Sequence, residues 1–142
     1  MYSPVLLEIP AVPVQVMELL ATVRAGFPSP ADDLGARRID ILENLILHPA
    51  ATYAMGVRGD SMKEYGIFDH DTVLIDKAIR PRHAHIVVAN LDNEFVVKFL
   101  WKRNGIIKLK AGNATYPDII PKEGQTLQVW GVVLTSIKKF MV

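Results

Sequence analysis

The period of the apolar residues changes near residue 52. From there on, short runs rich in Val, Ile, Phe and Trp recur at 52–58, 71–76, 85–91, 94–101, 105–110 and 127–140, with Gly, Asn, Asp and Pro between them. Branched and aromatic side chains suit a pleated, half-buried surface, and the intervening residues form turns, so the pattern predicts strands. Two links read as hairpin turns, "NLDNEF" at 90–95 and "KRNGII" at 102–107. In the second, Asn104-Gly105 is a good type I′ pair. In "EFVVKFLW", residues 94–101, alternation puts Phe95, Val97, Phe99 and Trp101 on one face and Val96, Lys98 and Leu100 on the other. That strand is apolar on both sides, with a lysine inside one of the apolar rows.

Upstream the pattern is different. Pro4, Pro10, Pro13, Pro28 and Pro30 punctuate the first thirty residues, and proline interrupts both ladders and helix interiors. The run "VQVMELLATVR" predicts two or three helical turns within an otherwise extended arm. Ser29, Pro30, Asp32 and Asp33 then read as a helix start that Gly35 ends or weakens. Asp40 and Glu43 form a second capping-box-like pair before "LIL", stopped by His48-Pro49. The predicted organisation is an N-terminal arm over 1–29 and a mostly β domain over 30–142, with short helices and several short strands.

A length of 142 residues fits one domain with one core. Half of the residues are hydrophobic and 22% are charged, an ordinary globular balance. The net charge of +1 leaves no basic footprint for direct sequence-specific DNA binding. Lys102, Arg103, Lys108 and Lys110 cluster around a predicted hairpin and read as a solvated edge that discourages aggregation. Cysteine is absent, which excludes a disulfide scaffold, a thiol nucleophile and a thiolate zinc site and fits a reducing compartment. The N-terminus has no positive n-region, and no window approaches ~20 apolar residues. The expectation is a soluble cytoplasmic protein without a membrane span.

The candidate chemistry begins at "VRGDSMKEYG". Gly59 permits a tight turn that exposes Ser61, but a serine hydroxyl needs a base within reach and backbone donors for the oxyanion. Lys63 stands where a G-x-S-x-G elbow has its second glycine, so that motif is not matched. His48, His70, His83 and His85 read as loop and strand-edge residues. His83 and His85 have metal-ligand spacing but no third ligand at a telling distance, so no metal or other cofactor is expected. Lys98 is the more interesting partner. Inside an apolar row it either loses its proton and becomes a general base, or snorkels its ammonium out to water past Val96 and Leu100.

"GDSM", "GIFDHDTVLID", "IVVANLDNEFVVKFL", "AGNATYPDII" and "VWGVVLTSIKK" occur in an order that resembles the LexA/UmuD self-cleaving Ser-Lys peptidases. The resemblance is closest to the UmuD type, with its MucA and RumA relatives. "AGFPSPADD" and "RIDILENLILHPAATY" extend it to about residues 22–142. It implies Ser61 as nucleophile, Lys98 as general base, the backbone N–H groups of Asp60 and Ser61 as oxyanion donors, and Ala25–Gly26 as the scissile bond. It also implies small, highly curved antiparallel sheets of the LexA/signal-peptidase kind, a homodimer, and self-cleavage stimulated by a RecA filament on single-stranded DNA. The product would join a UmuC-type error-prone polymerase subunit. The chain departs from the family pattern at turns. "HAH" at 83–85 replaces a common Gly-Asp, His70 a common Gly, and Asn93 a common Gly in the hairpin.

Two rivals bound this expectation. A type I signal peptidase wants a membrane anchor and a proline soon after "SM", where this chain has "KEYG". A non-catalytic β module that binds a polymerase or RecA filament has no need of Ser61, Lys98 and Ala25-Gly26 together. A repressor's helix-turn-helix reader needs about 60 residues, and only a short arm precedes Gly26, so a DNA reader is not expected.

Overall fold

A computed structural model of the chain describes residues 5–6, 15–19, 23, 25–26 and 36–142. The chain divides into two compact units, Met1–Leu7 with His48–Val142, and Glu8–Leu47. In chain order the strands are β1 (Val5–Leu6), β2 (Gln15–Leu19), β3 (Ala36–Asp40), β4 (Thr52–Gly56), β5 (Thr72–Asp76), β6 (Ile86–Leu91), β7 (Glu94–Arg103), β8 (Ile106–Lys110) and β9 (Leu127–Ile137). Among the described residues a single short α-helix, α1, covers Ile41–Leu45. No described helix is long and apolar enough to cross a membrane.

The larger unit is one antiparallel sheet in the order β1-β4-β5-β9-β6-β7-β8. All six strands expected after residue 52 form. The last one ends at Ile137 rather than 140, and the Lys138 side chain then turns to the buried Asp71, Nζ to Oδ1 2.7 Å. Burial alone would push the Asp71 carboxyl up. The Lys138 ammonium, the Phe68 N–H and the Ser136 hydroxyl outweigh it and hold the carboxyl below its ordinary value.

The central strand β9 pairs with β5 on one side and β6 on the other, and each ladder slips by one residue. Leu134 is the extra residue against Leu74/Ile75, and Trp130 against Val88/Ala89. Such bulges bend a strand and increase its twist, which gives the mostly β fold the expected curvature.

Both faces of the sheet are apolar, as the β7 pattern predicts. Met55, Met62, Ile67, Val73, Ile75 and Val88 make one cluster, joined by Phe95, Val97 and Phe99. Val87, Ala89, Leu100, Leu109 and Val132 make the other, joined by Val96. The two hairpin turns form with positive φ at both central residues, Asp92 (51°) with Asn93 (67°), and Asn104 (52°) with Gly105 (74°). This is the backbone that matches strand twist in a two-residue loop.

The smaller unit corrects one expectation. The apolar pattern predicts helical turns over 14–24, but residues 15–19 are the strand β2, paired with β3 from Gln15↔Asp40 to Leu19↔Ala36. A helix of two or three turns carries the full nucleation cost alone, whereas the ladder gives this segment backbone partners. Glu18 faces Arg37 across it, with Arg37 Nε donating to Glu18 Oε1 at 2.7 Å. The strand β3, "ARRID", has no matching signal in the sequence, because its charged residues show no alternation. The second predicted helix does form. The Asp40 side chain accepts the Leu42 N–H at 3.1 Å as the N-cap of α1, and Glu43 lies in the first turn. The helix start predicted at Ser29–Gly35 lies outside the described residues.

The departures from the family pattern fall on strained backbone. His70 (φ 69°), Ala84 (φ 73°) and Asn93 (φ 67°) are all left-handed. Asn tolerates that conformation, and the Asn93 N–H donates to Asn90 Oδ1 at 2.9 Å. The Ala84 N–H donates to the Leu100 carbonyl at 2.8 Å, but alanine has no side chain suited to that conformation, and the residue is exposed. Left-handed backbone costs an L-residue roughly 1–2 kcal/mol, against roughly 0.5–1 kcal/mol of extra chain entropy for glycine. Ala84→Gly is therefore expected to stabilise the protein by about 0.5–1 kcal/mol. Chemical denaturation should show a raised midpoint at unchanged m-value.

Candidate active site

Ser61 is held in a turn tied from two directions. After β4, the Val57 N–H donates to the Asp71 carbonyl and the Val57 carbonyl accepts the His70 N–H, each at 2.8 Å. Gly59 adopts φ 89°, open to glycine and strained for other residues, and its N–H donates to Asp69 Oδ1 at 2.8 Å. Directly after Ser61, the buried Met62 anchors the turn in the core. From the opposite side comes the segment that follows β8. The Gly112 N–H donates to the Ser61 carbonyl at 2.7 Å, and the Gly112 carbonyl accepts the Glu64 N–H at 2.8 Å. A Cβ on Gly112 would run into the Tyr65 ring and lie 3.3 Å from Met62 Cα, so only glycine permits this approach.

Lys98 sits on β7 opposite Val87 of β6 and is only 8% exposed. Its ammonium does not snorkel to water. Nζ donates to Ser61 Oγ at 2.8 Å. Burial pushes the Lys98 amine below its ordinary value, because an ammonium loses its hydration there without gaining a carboxylate. Nζ also lies 5.7 Å from the centre of the Tyr116 ring. Among the described residues, neither the Asp60 nor the Ser61 N–H has a protein acceptor. The arrangement thus contains a hydroxyl, an amine of lowered basicity in contact with it, and two uncommitted backbone donors beside it, the parts that serine acyl transfer requires.

The site opens into a cleft of about 150 Å³ lined by Met55–Gly59, Ser61, Met62 and Phe95–Lys98. Strand edges border it. β8 pairs only with Phe99–Arg103 of β7, and β1 only with Tyr53 and Ala54 of β4. Among the described residues, Glu94–Lys98 and Met55–Gly56 therefore each keep one edge without a strand partner. Such edges can take an extended peptide by main-chain hydrogen bonding.

Ala25 and Gly26 lie in the smaller unit, exposed, in a bend between β2 and β3. The histidines are engaged elsewhere. His48 Nδ1 is 2.6 Å from the buried Asp76, His83 Nδ1 accepts the Lys102 N–H, and His85 Nδ1 accepts the Arg82 N–H. His70 pairs with its exposed neighbour Asp69. In the basic hairpin, Lys108 lies over the Trp101 ring and Lys110 pairs with Asp118. Sequence reasoning missed three residues that shape the site, Gly112, Asn113 and Tyr116. They stand in "AGNATYPDII", a block that carries the resemblance but offers no catalytic signature of its own.

The Peptidase S24-like family model matches residues 16–134. The chain is 43% identical to Protein SamA of Salmonella typhimurium over 129 residues, which is 89% of either chain. It is 36% identical to Protein MucA of Escherichia coli over 119 residues, 83% of this chain and 81% of that protein. It is 31% identical to the LexA repressor of Shewanella woodyi over 125 residues, 87% of this chain and 60% of the repressor.

The lowered basicity of Lys98 has a stability consequence whose sign is fixed. The unfolded chain holds this proton to higher pH than the folded chain does. Stability therefore rises with pH between the folded and unfolded values, and the penalty is fully present below the folded value. Lys98→Met removes the buried amine while keeping its length. It is expected to raise the unfolding midpoint at neutral pH, with an advantage that shrinks as pH rises toward about 10. Thermal unfolding of both proteins across that range measures it.

Proposed function

The chain belongs to the Peptidase S24-like family, and from that premise we propose that it is a self-cleaving serine peptidase of the UmuD type, cutting its own Ala25–Gly26 bond. The observation that carries the reading is the 2.8 Å contact between Lys98 Nζ and Ser61 Oγ at a buried amine of lowered basicity. Once neutral, the amine accepts the Ser61 proton along that line, and Oγ attacks the Ala25 carbonyl. The N–H groups of Asp60 and Ser61 stabilise the resulting oxyanion. The Lys98 ammonium returns the proton to the departing Gly26 amine. Lys98 then deprotonates the water that hydrolyses the acyl-enzyme.

The wider role follows the resemblance to MucA and SamA over most of the chain. Cleavage belongs to the response to DNA damage and is stimulated by a RecA filament on single-stranded DNA. The Gly26–Val142 product serves a UmuC-type error-prone polymerase as an accessory subunit. The protein works as a cytoplasmic homodimer and reads no DNA sequence itself.

Mass spectrometry of the full chain tests this, after incubation with RecA, single-stranded DNA and a nucleotide and, separately, at alkaline pH alone. A new N-terminus at Gly26 is expected, absent in Ser61→Ala and slowed at least about 100-fold in Lys98→Ala. Full-length protein that persists yet binds the filament would support a non-catalytic interaction module and sink the peptidase reading. Because only the neutral amine is a base, the spontaneous rate should rise with pH to a plateau, with a midpoint below the ordinary lysine value of about 10.4. A flat profile in the folded protein would remove Lys98 from the mechanism.

A further inference from the structure

We propose that Asn113 is a positioning residue for the cleavage reaction, clamping the Asp60–Ser61 peptide so that the Ser61 N–H stays aimed at the oxyanion. The inference rests on the reading of Ser61 as nucleophile. Asn113 is 6% exposed, and both ends of its side-chain amide are used. Oδ1 accepts the Thr115 N–H at 3.0 Å, and Nδ2 donates to the Asp60 carbonyl at 3.1 Å. A backbone N–H can only donate, so the atom facing Thr115 must be the oxygen. That leaves the nitrogen for the Asp60 carbonyl, which can only accept.

The clamp acts through the geometry of one peptide unit. The chain has no cis peptide among its described residues, so the Asp60 carbonyl and the Ser61 N–H point in opposite directions from one rigid plane. Fixing the carbonyl fixes the N–H, and a hydrogen bond at the oxygen also polarises the amide and strengthens its donor. The same oxygen accepts the Lys63 N–H at 3.3 Å, but that bond lies within the turn and moves with it. Asn113 belongs to a different part of the structure. It follows β8, which is laddered to β7, the strand that carries Lys98. Leu109 at the end of β8 exchanges two further backbone bonds with Ile119, at 2.9 and 2.8 Å. Asn113 therefore references the oxyanion donor to the strand that carries the base. Its neighbours reinforce the clamp, Gly112 from the Ser61 carbonyl and the Tyr116 hydroxyl by donating to Asp60 Oδ1 at 2.9 Å.

The test is the rate of spontaneous Ala25–Gly26 cleavage in the full chain, followed from about pH 7 to about 10.5, a range that spans the lysine titration, for wild type, Ser61→Ala, Asn113→Ala and Asn113→Asp. Each is measured at a temperature where circular dichroism shows it folded. Asn113→Asp keeps the size and the acceptor for Thr115, replaces the donor to Asp60 by an acceptor and adds a negative charge, whereas Asn113→Ala removes the donor without adding charge. Both Asn113 variants are expected to lose about 10- to 100-fold in plateau rate, below the roughly 10²–10³ of deleting an oxyanion donor outright. The pH midpoint of Asn113→Ala should stay at the wild-type value, because Lys98 is untouched. Wild-type plateau rates in Asn113→Asp would overturn the inference, and so would a loss that comes wholly from a moved midpoint. Variants that never fold would place Asn113 in the fold rather than in the reaction, and would overturn it equally. Failure of the wild type to cleave in a Ser61-dependent way overturns the parent reading instead, and is recognisable by itself.

Discussion

A lysine amine taken out of water and set against a serine hydroxyl is a costly arrangement. Its ammonium would gain no carboxylate in return, so the cost is relieved by giving up the proton. The same desolvation that weakens the fold at neutral pH lowers the basicity of Lys98, which is what the proposed mechanism requires of it. The neighbourhood is organised to keep the pair together despite that cost. Met62 sinks into the core directly after Ser61, Gly59 lets the chain turn, and Gly112 lets a second segment press against the turn from behind. None of these residues needs to touch a substrate.

The β part of this architecture was legible because its two signals are local. Alternation in "EFVVKFLW" predicted a strand covered on both faces, and the two clusters divide its side chains accordingly. Turn chemistry predicted the Asn104-Gly105 hairpin, where both residues adopt positive φ. The N-terminal region was misread for the opposite reason. Residues 15–19 have a mixed apolar pattern that either a helix or a strand can use, and the choice is made by pairing with β3, some twenty residues away. Long-range pairing leaves no mark in a short window.

Within the site, the split follows the same logic. Lys98 stood out because an ionisable residue in an apolar row demands an explanation. Ser61 was ambiguous from its neighbours alone, and the ordered family blocks made it the candidate. Asn113 gave no warning, since its role depends on a carbonyl brought beside it by the fold. A buried amide with two backbone partners looks, in sequence, like any loop asparagine.

The strand pairings of the arm carry a further consequence. β1 is laddered to β4 and β2 to β3, and in each case one partner precedes Ala25–Gly26 while the other follows it. Breaking that bond, as proposed, would cut no ladder among the described residues. In the proposed reaction the severed arm would be a non-covalent ligand of the chain it came from, and its departure a dissociation with its own rate. Rebinding, once intramolecular, would become dependent on concentration. Under the proposed function, hydrolysis and release would thus be separate events on separate clocks, and dilution would make the second one final.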